Sequence, residues 1–160
     1  MTRRPANAAP GPGPLAGLDP GRSKCGLVLT DPERLQIVAA AVLPPEQAWQ
    51  QLSLWQREAA LAAVVLGNGT GSALWQQRLG DSLLVLPVEE RGSTLAARER
   101  YWQLHPPRGW RRLLPKGLRQ PPRDWDDVVA QLLLERWLGH SLDRPPTLIE
   151  SQKLARTVKA

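Results

Sequence analysis

Apolar positions along this chain fall into three patterns, and each predicts a different kind of element. Leu15 to Leu18, Cys25 to Leu29 and Leu35 to Leu43 are short apolar stretches. They are set off by Asp19-Pro20-Gly21 and Asp31-Pro32-Glu33, as in an antiparallel meander. From Glu46 to Ala60, the positions Ala48, Leu52, Trp55 and Ala59 recur at three- and four-residue spacing, which predicts a helix with one apolar face. Ala62 to Leu66 and Leu83 to Val88 are unbroken apolar runs, the pattern of strands covered on both faces. Between them lie the loop Gly67-Asn68-Gly69-Thr70-Gly71 and a short helix over Ser72 to Leu79. Thr94 to Leu104 predicts another helix, with Ala97, Tyr101 and Leu104 on one face. A Pro-rich basic loop runs from His105 to Arg123, and a last helix from Trp125 to Leu138.

A meander followed by alternating helices and strands predicts an α/β domain with a five-stranded mixed sheet flanked by helices. A chain of 160 residues suits one such domain, over 15–138. An Ala-, Pro- and Gly-rich arm over 1–14 and a weakly periodic tail over 139–160 are expected to be loose. In open α/β sheets, ligands gather at the carboxyl ends of the parallel strands. Those ends carry Asp19, the Gly67–Gly71 loop and Glu89-Glu90. Pro20 and Gly21, at the second and third positions of a turn, predict type II geometry, which would hold Asp19 at the sheet rim beside Arg22 and Lys24.

Composition narrows the classes. A single cysteine, Cys25, excludes an internal disulfide and a Cys-based zinc site, and its place in a strand suits a buried apolar role. His105 and His140 are too far apart in sequence to suggest a metal cage. No apolar run approaches a membrane span, and the N-terminus lacks the apolar core of a secretory signal. A reducing, cytoplasmic setting without membrane association is expected. Of the seven Trp, Trp49, Trp55 and Trp137 sit on apolar helix faces and are expected in the core.

Net charge is +6 and the pI about 10.4. Its distribution says more: Arg91 to Arg123 holds nine Lys or Arg and a single acid, Glu99. Such one-sidedness favours a polyanionic partner, nucleic acid above all. Arg108, Arg111, Arg112, Lys116 and Arg119 are the expected backbone-phosphate contacts. Trp110 in that loop either packs against the domain or stacks on a base.

A third acidic cluster, Asp124, Asp126 and Asp127, opens the last helix. At about 100° per residue, Asp126 shares a face with Val129, Ala130, Leu133 and Trp137, so it is expected to point to the sheet. Asp127 falls on a mixed flank beside Gln131 and Leu134, and Asp124 suits the cap. A carboxylate on an apolar face is costly unless it is paired or binds a cation. Acids from three distant segments at one sheet edge would repel one another. Mg²⁺ or Mn²⁺, which favour oxygen ligands, relieve that repulsion. Two such ions about 4 Å apart can activate water and steady the leaving oxygen of a phosphodiester. Glycoside hydrolysis by paired acids would leave the basic loop unexplained.

These residues resemble a known family. Gly17-Leu18-Asp19-Pro20-Gly21-Arg22 with Gly26 is similar to the first-strand motif of the YqgF (RuvX)-like family, RNase H-like nucleases related to the RuvC Holliday junction resolvases. Glu89-Glu90-Arg91-Gly92-Ser93-Thr94-Leu95-Ala96-Ala97 is similar to its D-E-R-x-[ST]-T-x-x-A segment. Lys116-Gly117, Asp126 and Leu132-Leu133-Leu134-Glu135 resemble its closing pattern. The resemblance covers Leu15 to Leu138. It implies an RNase H-like fold and a phosphodiester-cleaving hydrolase in which Asp19, Glu90 and Asp126 are catalytic and hold Mg²⁺ or Mn²⁺. Arg22, Lys24, Arg91 and the basic loop would then position the strand, with no small-molecule cofactor. The implied substrate is the 5′ end of precursor 16S rRNA, or branched DNA. The rival is a non-catalytic nucleic acid-binding module of the same fold. The chain departs from the family at Gly67-Asn68-Gly69 (usually Gly-Leu-Pro), at Glu89 (usually Asp), at Gly92 and in the length of its Pro106–Pro122 loop.

Overall fold

The computed structural model describes residues 9–69, 71–104, 109–113, 115 and 126–145. Its strands are β1 (Leu15–Asp19), β2 (Cys25–Thr30), β3 (Ile37–Leu43), β4 (Ala63–Gly67) and β5 (Val85–Val88). The helices are α1 (Pro45–Glu58), α2 (Ser72–Leu79), α3 (Ser93–Leu104) and α4 (Asp126–Leu138). The sheet order is β3-β2-β1-β4-β5. β2 runs antiparallel to both β1 and β3, whereas β1, β4 and β5 are parallel. This mixed five-stranded sheet, antiparallel then parallel and flanked by helices, is the α/β architecture expected from the sequence.

Strand alternation divides the core between the two faces of the sheet. Leu15, Val28, Ala63 and Val65 pack with Ala97 and Tyr101 of α3 and Ala130, Leu133 and Leu134 of α4. Ala16, Leu18, Leu27, Val64 and Leu66 face the other way, against Ala48, Leu52 and Trp55 of α1 and Trp75 and Leu79 of α2. Cys25 lies in this second layer and is fully buried, as its apolar role requires. Trp55 is core, whereas Trp49 and Trp137 are only partly buried; Trp75 is also buried.

Two glycines bring α4 down onto the middle of the sheet. A β-carbon on Gly17 would stand 2.6 Å from the Ala130 carbonyl and 2.9 Å from the Leu134 side chain. One on Gly26 would overlap the backbone carbonyl of Asp126. The first turn of α4 therefore rests directly on β2, at the residue paired across the strands with Asp19.

Three expectations change. Gly21 does not adopt the positive φ that a type II turn demands, and residues 20–24 form a longer bend. A glycine is needed there because a β-carbon would overlap the Lys24 carbonyl. On α4, Asp127 is sealed at 1% exposure while Asp126 is only half-buried, the reverse of the face expected from periodicity. The helix is buried around more than a single stripe, since Val128, Val129, Ala130, Gln131, Leu133 and Leu134 are all buried with Asp127. Within the stretch expected to be a structureless loop, Gly109–Leu113 forms a 3-10 helix.

The packing also runs past both expected domain ends. Pro14 is buried and its carbonyl accepts from the Ala62 N–H at 2.9 Å, while Arg34 Nε donates to the Gly13 carbonyl at 2.9 Å. Leu142 is buried in the α4 layer; residues 1–8 and 146–160 of the expected loose ends lie outside the described residues.

Candidate active site

Alternation places Asp19 on the same face as Leu15 and Gly17, beneath α4. The same rule carries Leu86, Val88 and then Glu90 to that face from β5. β4 lies between β1 and β5, so any side chain at its carboxyl end would separate the two acids. Gly67 supplies none: a β-carbon there would overlap Glu90 Oε1, and one on Gly69 would overlap Glu90 Oε2. Glu90 thus crosses β4 and reaches Asp19.

The Glu90 backbone is fixed as well. Its N–H donates to Asn68 Oδ1 at 3.1 Å, and the Asn68 N–H donates to the Val88 carbonyl at 2.9 Å. The Gly69 N–H donates to the Glu90 carboxylate. Asn68 is therefore a support for Glu90.

The electrostatics follow from this crowding. Asp19 is pushed up to about 8, first by burial, then by the negative charges of Glu90 and Asp126 and a hydrogen bond shared with Glu90. Glu90 is also raised, by burial, against the lowering effects of that shared bond and of the Gly69 N–H. Glu90 Oε1 is buried without a hydrogen-bond partner. The Asp19–Glu90 pair therefore holds a proton at neutral pH, as close carboxylates do. Cys25, nearby, has its thiol pushed up by burial first and then by the charges of Asp19 and Asp126, which leaves it neutral; its Sγ donates to the Gly21 carbonyl at 3.7 Å.

A divalent cation fits this donor set. The carboxylate oxygens are hard ligands, one buried oxygen lacks a donor, and a cation in place of the shared proton would remove the repulsion that raises both acids. Among the described residues, however, no three of His, Cys, Asp and Glu stand close enough together to form a ready cage. Asp19 and Glu90 are the intimate pair, and Asp126 acts on Asp19 through space.

Of the expected nucleic acid contacts, Arg22 and Lys24 are exposed on the bend after Asp19, and Arg91 is exposed beside Glu90. Arg112 is exposed on the 3-10 helix. Arg108, Lys116 and Arg119 lie outside the described residues, as do Thr70 and Asp124 and the side chains of Arg111 and Trp110. Among the described residues no helix is long and apolar enough to cross a membrane.

No protein-family model matches the chain, and no curated protein matches it. Among solved structures, T. thermophilus RuvC in complex with Holliday junction substrate aligns over 79% of this chain and 94% of that chain. The identity is 16% and the TM-score 0.45. At that distance, the likeness assigns no role to any residue of this chain.

Proposed function

We propose that the chain is a Mg²⁺- or Mn²⁺-dependent nuclease that hydrolyses phosphodiester bonds in nucleic acid. The observation that carries this is the Asp19–Glu90 pair, brought together across Gly67 and loaded further by Asp126. A fold gains no stability from two half-buried carboxylates that repel each other. The arrangement makes sense as a cation site. Asp19 and Glu90 would hold the ion, with Asp126 adding negative charge from the start of α4. When bound, the ion supplies Lewis-acid activation of water and stabilises the leaving oxygen.

The chain's own groups do the rest. Asn68 and the Gly69 N–H hold Glu90 in place, so its carboxylate is pre-set rather than found on binding. Arg22, Lys24 and Arg91, exposed next to the acids in sequence, bind phosphates and orient the strand. Following the resemblance to YqgF (RuvX)-like proteins, the favoured substrate is the 5′ end of precursor 16S rRNA in the cytoplasm, with branched DNA as the alternative.

One observation favours a rival. The absence of a ready three-donor cage among the described residues suits a binding module that keeps the fold without cutting. Asp126→Asn separates the two. A nuclease loses cleavage and keeps nucleic acid binding; a binding module cleaves nothing in either form and binds as well or better once the charge is gone.

A further inference from the structure

Residues 142–144, beyond α4, are built into the fold from three sides. Through the main chain, the Ile37 N–H donates to the Asp143 carbonyl at 2.7 Å and the Asp143 N–H donates to the Leu35 carbonyl at 3.0 Å, a parallel bridge at the edge of the sheet. Leu142 is buried against α4. Arg144, its side chain 4% exposed, forms an ion pair with Asp127 and donates from Nη1 to Gln131 Oε1 at 3.3 Å. Gln131 in turn donates to Glu135 Oε1 at 3.0 Å and to the Leu142 carbonyl at 3.3 Å. Arg100 of α3 pairs with Glu135 at 3.3 Å.

Stability alone does not account for this network. A buried ion pair contributes little beyond what a well-packed apolar pair would, and Arg144 Nε is buried without an acceptor, which costs more. Its location is more telling. Asp127 follows Asp126 directly, in the turn that rests on Gly26 opposite Asp19. The first turn of a helix has no intrahelical bonds for its N–H groups, so outside contacts decide how it is held. Gly26 receives that turn from below, and Arg144 grips it through Asp127.

We propose that Arg144 is a positioning residue for Asp126: by holding Asp127, it fixes the first turn of α4 and thereby the placement of Asp126 relative to the Asp19–Glu90 pair. As a statement about the site, this rests on the three acids being the cation-holding group.

The test compares wild type with the double variant Asp127→Asn/Arg144→Met, which removes both charges and keeps the volume. Three quantities are read: affinity for Mn²⁺ alone, by calorimetry; kcat and KM for cleavage; and amide exchange along α4. If Arg144 only stabilises the fold, a folded double variant keeps wild-type values well below its melting temperature. Positioning predicts Mn²⁺ affinity about tenfold weaker, the scale of lost support around metal ligands. It also predicts a lower kcat at unchanged KM. In the helix the Ala130 and Gln131 amides bond back to residues 126 and 127, so their protection falls while that of Leu134 to Leu138 holds. Arg144→Lys, which keeps the charge, recovers part of each loss.

Wild-type Mn²⁺ affinity with wild-type protection at Ala130 and Gln131 overturns the inference. Should wild type bind no Mn²⁺ and cut nothing, the proposed function fails, and amide exchange alone decides: selective loss upholds Arg144 as the clamp on the α4 turn, unchanged protection overturns it. If the double variant does not fold, Asp127→Asn alone is read by the same criteria.

Discussion

The carboxylate of Glu90 occupies the space that a side chain on Gly67 would fill. That relationship makes the acid pair possible, because β4 separates the strands that carry Asp19 and Glu90. The glycines at 67 and 69 are there for room, since neither adopts a positive φ.

Gly67→Ala therefore leaves the backbone at ease and forces only the Glu90 side chain aside. The expected stability change is within about 1 kcal/mol, since the displaced group is the end of a flexible chain. Cleavage falls by about 100-fold, as misplacing a reacting group by an ångström can do. Melting temperature and kcat measured on the same preparation show whether the two effects separate.

Without a divalent cation, the raised Asp19 makes stability depend on pH. Its folded-state value of about 8 lies above the ordinary value of 3.8, so the folded chain holds the proton more tightly. The contribution is fully present below about pH 4 and is lost as pH rises through about 8. Glu90 acts in the same direction. Urea midpoints in EDTA should fall over that window, and Asp19→Asn should flatten the decline, gaining on the order of 2 kcal/mol over wild type near pH 8.

Much of this arrangement was legible in the sequence, and what was not has physical causes. The strands and α1 are set by local periodicity, and Ala48, Leu52 and Trp55 are buried as their spacing requires. Asp19 and Glu90 could be placed because alternation and strand ends are local properties. The face of α4 could not be read in the same way. A single apolar stripe describes a helix lying on one surface, whereas α4 is also enclosed by α3 and by residues 142–144, so polar Asp127 and Gln131 end up inside. Arg144 was invisible for the same reason, since its partner lies 17 residues away across a turn. The part that the glycines at 67 and 69 play could not be read from the sequence, because a close approach of Glu90 from more than 20 residues away leaves no local pattern.

Addition of Mn²⁺ or Mg²⁺ at pH 7.5 should raise the melting temperature and reverse the alkaline loss of stability. An ion at 100 times its dissociation constant contributes about 2.7 kcal/mol, several degrees for a domain of this size. EDTA should abolish the shift, as should Asp19→Asn or Glu90→Gln.

Asn68→Ala removes the acceptor for the Glu90 N–H. Cleavage should drop by about tenfold with nucleic acid affinity unchanged, because outer supports of a metal site act through the ligand they hold. Asn68→Asp, which keeps an acceptor oxygen, should retain more activity; single-turnover rates compared with binding constants would show it.

Arg22→Ala, Lys24→Ala and Arg91→Ala should behave in the opposite way, weakening binding while leaving the chemical step intact. Each lost phosphate contact should reduce the slope of log affinity against log salt by about 1. Titrations at several salt concentrations measure this directly.

The most direct test of the cation-dependent acid pair is a cleavage assay with Mg²⁺ and with Mn²⁺, run on wild type and Asp19→Asn. The substrates are precursor rRNA 5′ ends, single strands and a four-way DNA junction. The account predicts cleavage by wild type that needs the ion and disappears in Asp19→Asn, while nucleic acid binding persists. Binding without cleavage of any substrate, or cleavage that survives Asp19→Asn, would contradict it.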